Sequence, residues 1–183
     1  MMDRDVALVT QIQAAHRQVE GAIRLHFAGC DPVVVHSIAG NAANLLTDLA
    51  QHVPARSWDD LVREGAGIPT KVYLNVMRAG VYFLKYVHIG EDGKLDRAAQ
   101  FEFRAIDAEA ILFLAVRNLA IVDSISPVER MFQLWFMATR VNFLGDDFRD
   151  MDAARAAFPG LADMSVSAQR RAGEAALLTP QPE

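Results

Sequence analysis

The chain has 183 residues, 52 % of them hydrophobic and 22 % charged, a globular composition that excludes a disordered chain and suffices to bury a core. Its net charge is −5 and its 18 basic residues are scattered, with Arg170–Arg171 the only adjacent pair. This argues against nucleic acid as a partner, because phosphate binding needs a basic stripe. Cys30 is the only cysteine, which excludes an internal disulfide and a cysteine zinc site.

Alanine and leucine dominate over Val/Ile/Thr runs, so propensity favours helix. A first helix is expected from about Asp3 to Phe27, with Val6, Val9, Ile12, Val19, Ile23 and Phe27 at the three- and four-residue steps of one buried stripe. Asp31 as N-cap and Pro32 at the first helical position open a second helix to about His52. The small residues Ala39, Gly40, Ala42 and Ala43 let another helix approach it closely. Ser57 and Asp60 cap a short helix to about Glu64, broken by Gly65, Gly67 and Pro69. A long helix follows from Lys71 to about Val87.

Residues 90–96, Gly-Glu-Asp-Gly-Lys-Leu-Asp, read as a turn. Gln100 to Arg104 alternates like a strand but is too short to found a sheet. Asp107 is read as the N-cap of a helix to about Val122 that is apolar on nearly all sides, hence the central one. It is too short to span a bilayer and carries Glu109, Arg117 and Asn118. Ser126, Pro127 and Glu129 form a capping box for a helix to about Phe143. Asp150 or Asp152 starts a short helix ending at Phe158-Pro159-Gly160, and a last helix or a tail follows.

Phosphate loops, dinucleotide fingerprints, nucleophile elbows and zinc-protease helices are all missing from the sequence. None of the five histidines has an Arg four to six residues before it, the pairing on which helical nucleases of the HEPN type depend. His16 and Glu20 share a helix face and are a partial metal pair at best. The acidic residues from Asp146 to Asp152 lack calcium-loop spacing and are read as capping and solubility. No metal set is assigned, and the residues specify no cofactor.

Two polar stripes are more informative. Ser37, Asn41, Asn44 and Asp48 recur at helical spacing on the second helix, beside His36; Asn75, Arg78, Tyr82 and Lys85 do so on the fourth. If the stripes face each other, His36, Asn44, Tyr82 and Lys85 line a cleft suited to a small polar ligand. If they do not, each faces water or a subunit contact. On the helix after Pro127, Met131, Phe132, Trp135, Phe136 and Met137 form an apolar surface that is either core or the contact of a symmetric dimer.

Several segments, among them Asp31-Pro32-Val33 with His36, Tyr82-Phe83-Leu84-Lys85-Tyr86, Phe101 to Leu119 and Ser126 to Ala138, resemble a family of bacterial all-α proteins with no established activity. That family carries Asp-Pro-Val-x-x-His and a later motif close to Asn-Phe-Phe-Lys-His-Ala-Asp. The resemblance spans roughly residues 10–145 and gives weight to His36 and Lys85. This chain departs from the second motif at Tyr82, where Asn is usual, and at Tyr86, where His is usual.

The expected fold is an all-α bundle of six to eight helices, with one domain over 1–165 and a helix or tail over 166–183. The start Met-Met-Asp-Arg-Asp carries acids rather than a signal-peptide core, so a cytoplasmic protein that meets no membrane is expected. A homodimer through the helix near Trp135 is also expected. The expected function is non-catalytic binding or assembly. The alternatives are a small-molecule hydrolase, with His36 as base and Lys85 or Tyr82 polarising the substrate, and a helical component of a nucleic-acid defence system.

Overall fold

The computed structural model describes residues 8–65, 69–141 and 150–179, with the backbone alone for 65 and 70–77. Val6, the side chain of Asn75, Asp146 and Asp147 of the acidic run, and the tail 180–183 lie outside the described residues. Among those described, the chain forms eight α-helices: α1 (Gln11–Phe27), α2 (Pro32–Ala50), α3 (Trp58–Gly65), α4 (Thr70–Lys85), α5 (Ala105–Val122), α6 (Pro127–Thr139), α7 (Met151–Ala157) and α8 (Val166–Leu178). A 3-10 turn, Leu161–Asp163, precedes α8. The fold is an all-α bundle, and the expected C-terminal helix is α8. Among the described residues no helix is long and apolar enough to cross a membrane.

Helix starts follow side-chain chemistry. The Asp31 carboxylate accepts the Val33 N–H at 2.8 Å, with Pro32 at the first position. Ser126 and Glu129 close the expected capping box on α6. Two starts differ from expectation. The described part of α1 opens at Gln11, where Thr10 and Gln13 exchange capping bonds, because a second cap pair lies inside the apolar stripe. Helix α5 begins two residues before Asp107, whose carboxylate reaches back to the Arg104 N–H at 3.1 Å. Asp107 therefore caps from the third helical position, where the positive end of the helix dipole favours a carboxylate. Residues 100–104 form no strand, and the turn at 90–96 is closed by a single bridge between Ile89 and Leu95.

Helices α2 and α5 make the most extensive pair, α1 crosses α2, α5 and α6, and α4 packs chiefly on α2. Val19, Ile23, Leu46, Leu112, Leu119, Phe132 and Trp135 are fully or almost fully buried between them. Each such side chain contributes roughly 1.5–3 kcal/mol by leaving water. The small residues of α2 act as expected: Val81 of α4 presses directly on Gly40.

The aromatic surface of α6 belongs to this core. Trp135 is 2 % exposed, stands edge-on to Phe27 at 5.0 Å, and donates its indole N–H to the Gln169 carbonyl at 2.7 Å. The dimer contact expected at Trp135 thus has no free indole to use, because α1 and α8 already cover it.

Buried polar groups tie the remaining elements down. The amide N–H₂ of Asn118, fully buried on α5, reaches Asp59 at 2.7 Å and Thr47 at 3.1 Å, while its carbonyl accepts the Trp58 N–H at 2.9 Å. This latches the start of α3 onto α2 and α5. His16 and Glu20 do not act as a pair. His16 bonds the buried Glu129 carboxylate at 2.8 Å, and Glu20 accepts the Ser126 hydroxyl at 2.7 Å. Burial disfavours charge on His16, but hydrogen bonds and charges from Glu129 and Asp123 raise its pKa above the ordinary value. Protonated His16 therefore staples α1 to the start of α6, and that contribution is lost as pH rises through its raised pKa.

Candidate functional site

His36 lies in the second turn of α2 and is only 4 % exposed. Its position follows from the helix period: it neighbours buried Val35 and lies between Pro32 and the close-packed Gly40 on one face. The ring edge rests on the backbone of Gly80 in α4. A Cβ there would stand 2.8 Å from His36 Cε1 and 3.1 Å from Phe103 Cε1, so only glycine lets α4 approach this closely. Phe103 meets the imidazole edge-on at 5.3 Å, and Phe101 backs Phe103 at 4.8 Å.

Beside this ring is a cavity of about 420 Å³, lined by His36, Gly80, Phe101, Glu102, Arg104 and Asp107, with Ala79, Ala110 and Ile111 completing its apolar wall. The size is within the range of small-molecule sites. Arg104 grips Asp107 with two parallel bonds, Nε to Oδ2 at 3.1 Å and Nη2 to Oδ1 at 2.9 Å. Burial works against the Asp107 carboxylate, yet the bonds from Arg104 hold its pKa below the ordinary range. His36 shifts the opposite way. Burial lowers its pKa, and the Asp107 charge opposes this only in part. Its Nδ1 is buried and has no hydrogen-bond partner, a rare condition for a buried polar atom and a costly one. The cavity wall therefore includes an imidazole that burial biases toward its neutral form.

The other expected site residues are elsewhere. Lys85 lines a separate hollow of about 290 Å³ with Ser37, Asn41, Val81 and Leu84. The two polar stripes do meet there, in a hollow that shares no lining residue with the His36 cavity. Lys85 also stands 5.6 Å from the centre of the Tyr86 ring. Tyr82 is 42 % exposed and leans on Tyr86, while Asn44 is half-buried. Neither Tyr82 nor Asn44 lines either hollow. A one-residue step along a helix turns a side chain by about 100°, enough to send His36 and Ser37 to different clefts.

Sequence reasoning missed Gly80, Phe103 and Arg104. The alternation at 100–104 was the available signal, since it sets Phe101 and Phe103 on one side of an extended segment just before Asp107. Among the described residues no group of three or more His, Cys, Asp or Glu side chains is placed to hold a metal ion. No protein-family model matches the chain, and neither a curated protein nor a solved structure does.

Proposed function

We propose that the protein is a non-catalytic small-molecule binder whose site is the cavity beside His36. The observation that carries this reading is a ligand-sized hollow whose wall holds the buried His36 beside the Arg104–Asp107 ion pair. The hydrolase alternative gains less support, because Lys85 and Tyr82 line no cavity with His36. The family resemblance adds weight to His36 alone among the cavity residues.

The test is a thermal-shift screen of polar metabolites against the native protein and Ala110→Leu. The leucine fills the hollow while leaving His36 in place. Selective binding to the folded state raises its stability, so ligands of this site should raise the native midpoint and leave the variant unmoved. Equal shifts in both proteins for every hit would refute the reading.

A homodimer is a second reading. Tyr86, Val87, Ile89 and Leu95 are each more than half exposed, and a second copy of the chain covering them would remove this apolar surface from water. Light scattering of the native protein and of Val87→Lys checks this: a dimer that the lysine dissociates is expected, and a monomeric native protein would contradict it.

A further inference from the structure

Resting on that reading, we infer that the cavity beside His36 takes a small organic cation, an amine with a compact apolar body, in preference to a neutral or anionic ligand. Charge is the first ground. Among the described residues that line the hollow, two carboxylates, Glu102 and Asp107, face one cation, Arg104. That guanidinium is already paired with Asp107 through two bonds. An incoming anion meets a net negative wall. An incoming ammonium finds Glu102 directly.

The helix terminus does not reverse this balance. The start of α5 attracts anions in principle, but Asp107 already stands at its third position as the capping carboxylate. The apolar side of the hollow is the second ground. Phe101 lines it beside Ile111 and Ala110, backed by Phe103 at 4.8 Å and Phe83 at 5.7 Å. Rings suit an apolar body and attract a cation over their faces.

A matched series separates this inference from the reading beneath it. The probes are 2-phenylethylamine, 2-phenylethanol and 3-phenylpropanoate, which share a ring and differ in charge. Each is titrated by amide NMR into native protein, Ala110→Leu and Glu102→Gln. The exposed glutamine leaves the core untouched. The expected result is that the amine binds roughly three- to fivefold tighter than the alcohol, the gain typical of one partly exposed ion pair, with no saturable binding of the carboxylate. Glu102→Gln should erase most of the amine's advantage and leave the alcohol unchanged, and Ala110→Leu should abolish both. If the alcohol or the carboxylate binds as tightly as the amine, the cation preference is wrong while the cavity still binds ligands. If no probe gives shifts that Ala110→Leu removes, the binding reading falls and the inference with it.

Discussion

Replacing Arg140 by methionine should destabilise the protein by roughly 3 kcal/mol at neutral pH, the cost of stranding a buried charge. The charge is Glu109 on α5, 3 % exposed, whose Oε2 accepts a hydrogen bond from Arg140 Nη2 at the end of α6. His26 Nε2 lies 4.0 Å from the other oxygen but cannot take over. Burial, with the charges of Arg170 and Arg140, pushes the His26 pKa down to about 4, so the ring is neutral at pH 7. Methionine fills the aliphatic volume of the arginine and removes only the charge and its bonds.

The pH dependence has a definite sign. Burial raises the Glu109 pKa in the folded protein, with the Arg140 charge opposing. A carboxyl group with a raised folded pKa favours the folded state below that pKa and loses the advantage as pH rises. Without Arg140 the folded pKa climbs further, so the variant regains stability on acidification. His26 adds to the same trend. Its folded pKa lies below the ordinary 6.5, so protonation between those values favours unfolding, and losing the Arg140 charge weakens that penalty. Urea unfolding at pH 7 and pH 5 measures both effects. The deficit of Arg140→Met should shrink at the lower pH, and Glu109→Gln with Arg140→Met should recover most of it. A deficit that grows on acidification would contradict this account of the pair.

Gly173→Ala should cost about 2–3 kcal/mol, in the range of an overpacked core, although glycine to alanine inside a helix ordinarily stabilises by up to about 1 kcal/mol. The sign of the effect is therefore diagnostic. A Cβ on Gly173 would run into the Phe27 ring, with Cδ1 at 2.7 Å and two further ring atoms closer still. Phe27 cannot yield easily. It is 2 % exposed and held edge-on between His26 at 4.9 Å and Trp135 at 5.0 Å. Helix α8 must then lift away, straining the Trp135 bond to Gln169 and the Gln169 bond to the Leu161 carbonyl. Thermal unfolding should show the loss, and hydrogen exchange should show it concentrated in α8. A variant as stable as the native protein, with α8 equally protected, would rule out this packing.

These features differ in how far the sequence announces them. Caps and breaks are local, so Asp31 with Pro32, Ser57 with Asp60 and Ser126 with Glu129 are readable directly, and the all-α bundle follows from them and the 3.6-residue period. Asp107 shows the limit of this. A carboxylate caps equally well from the N-cap or from the third position, and only the backbone decides which.

The site is less legible for a physical reason. His36 and Lys85 lie on the right helices, but where a side chain points depends on how α2 and α4 roll against each other. That roll is set by Val81 seated on Gly40 and by Gly80 under His36, contacts between residues about forty positions apart. The partners of His16 and Glu20 lie more than a hundred positions away at Glu129 and Ser126, so a pair that looks like half a metal site becomes two structural ties.

The ionisation state of His36 tests the central claim most directly. Long-range ¹H–¹⁵N correlation of the imidazole, followed from pH 8 to pH 5, reports which ring nitrogens carry protons. A buried ring beside a ligand-sized hollow should be less than half protonated at pH 6.5, where a free histidine is half protonated, and its signals should shift when 2-phenylethylamine is added. An imidazolium that titrates at or above the ordinary value and ignores the probe would contradict the buried His36 on which the proposed site depends.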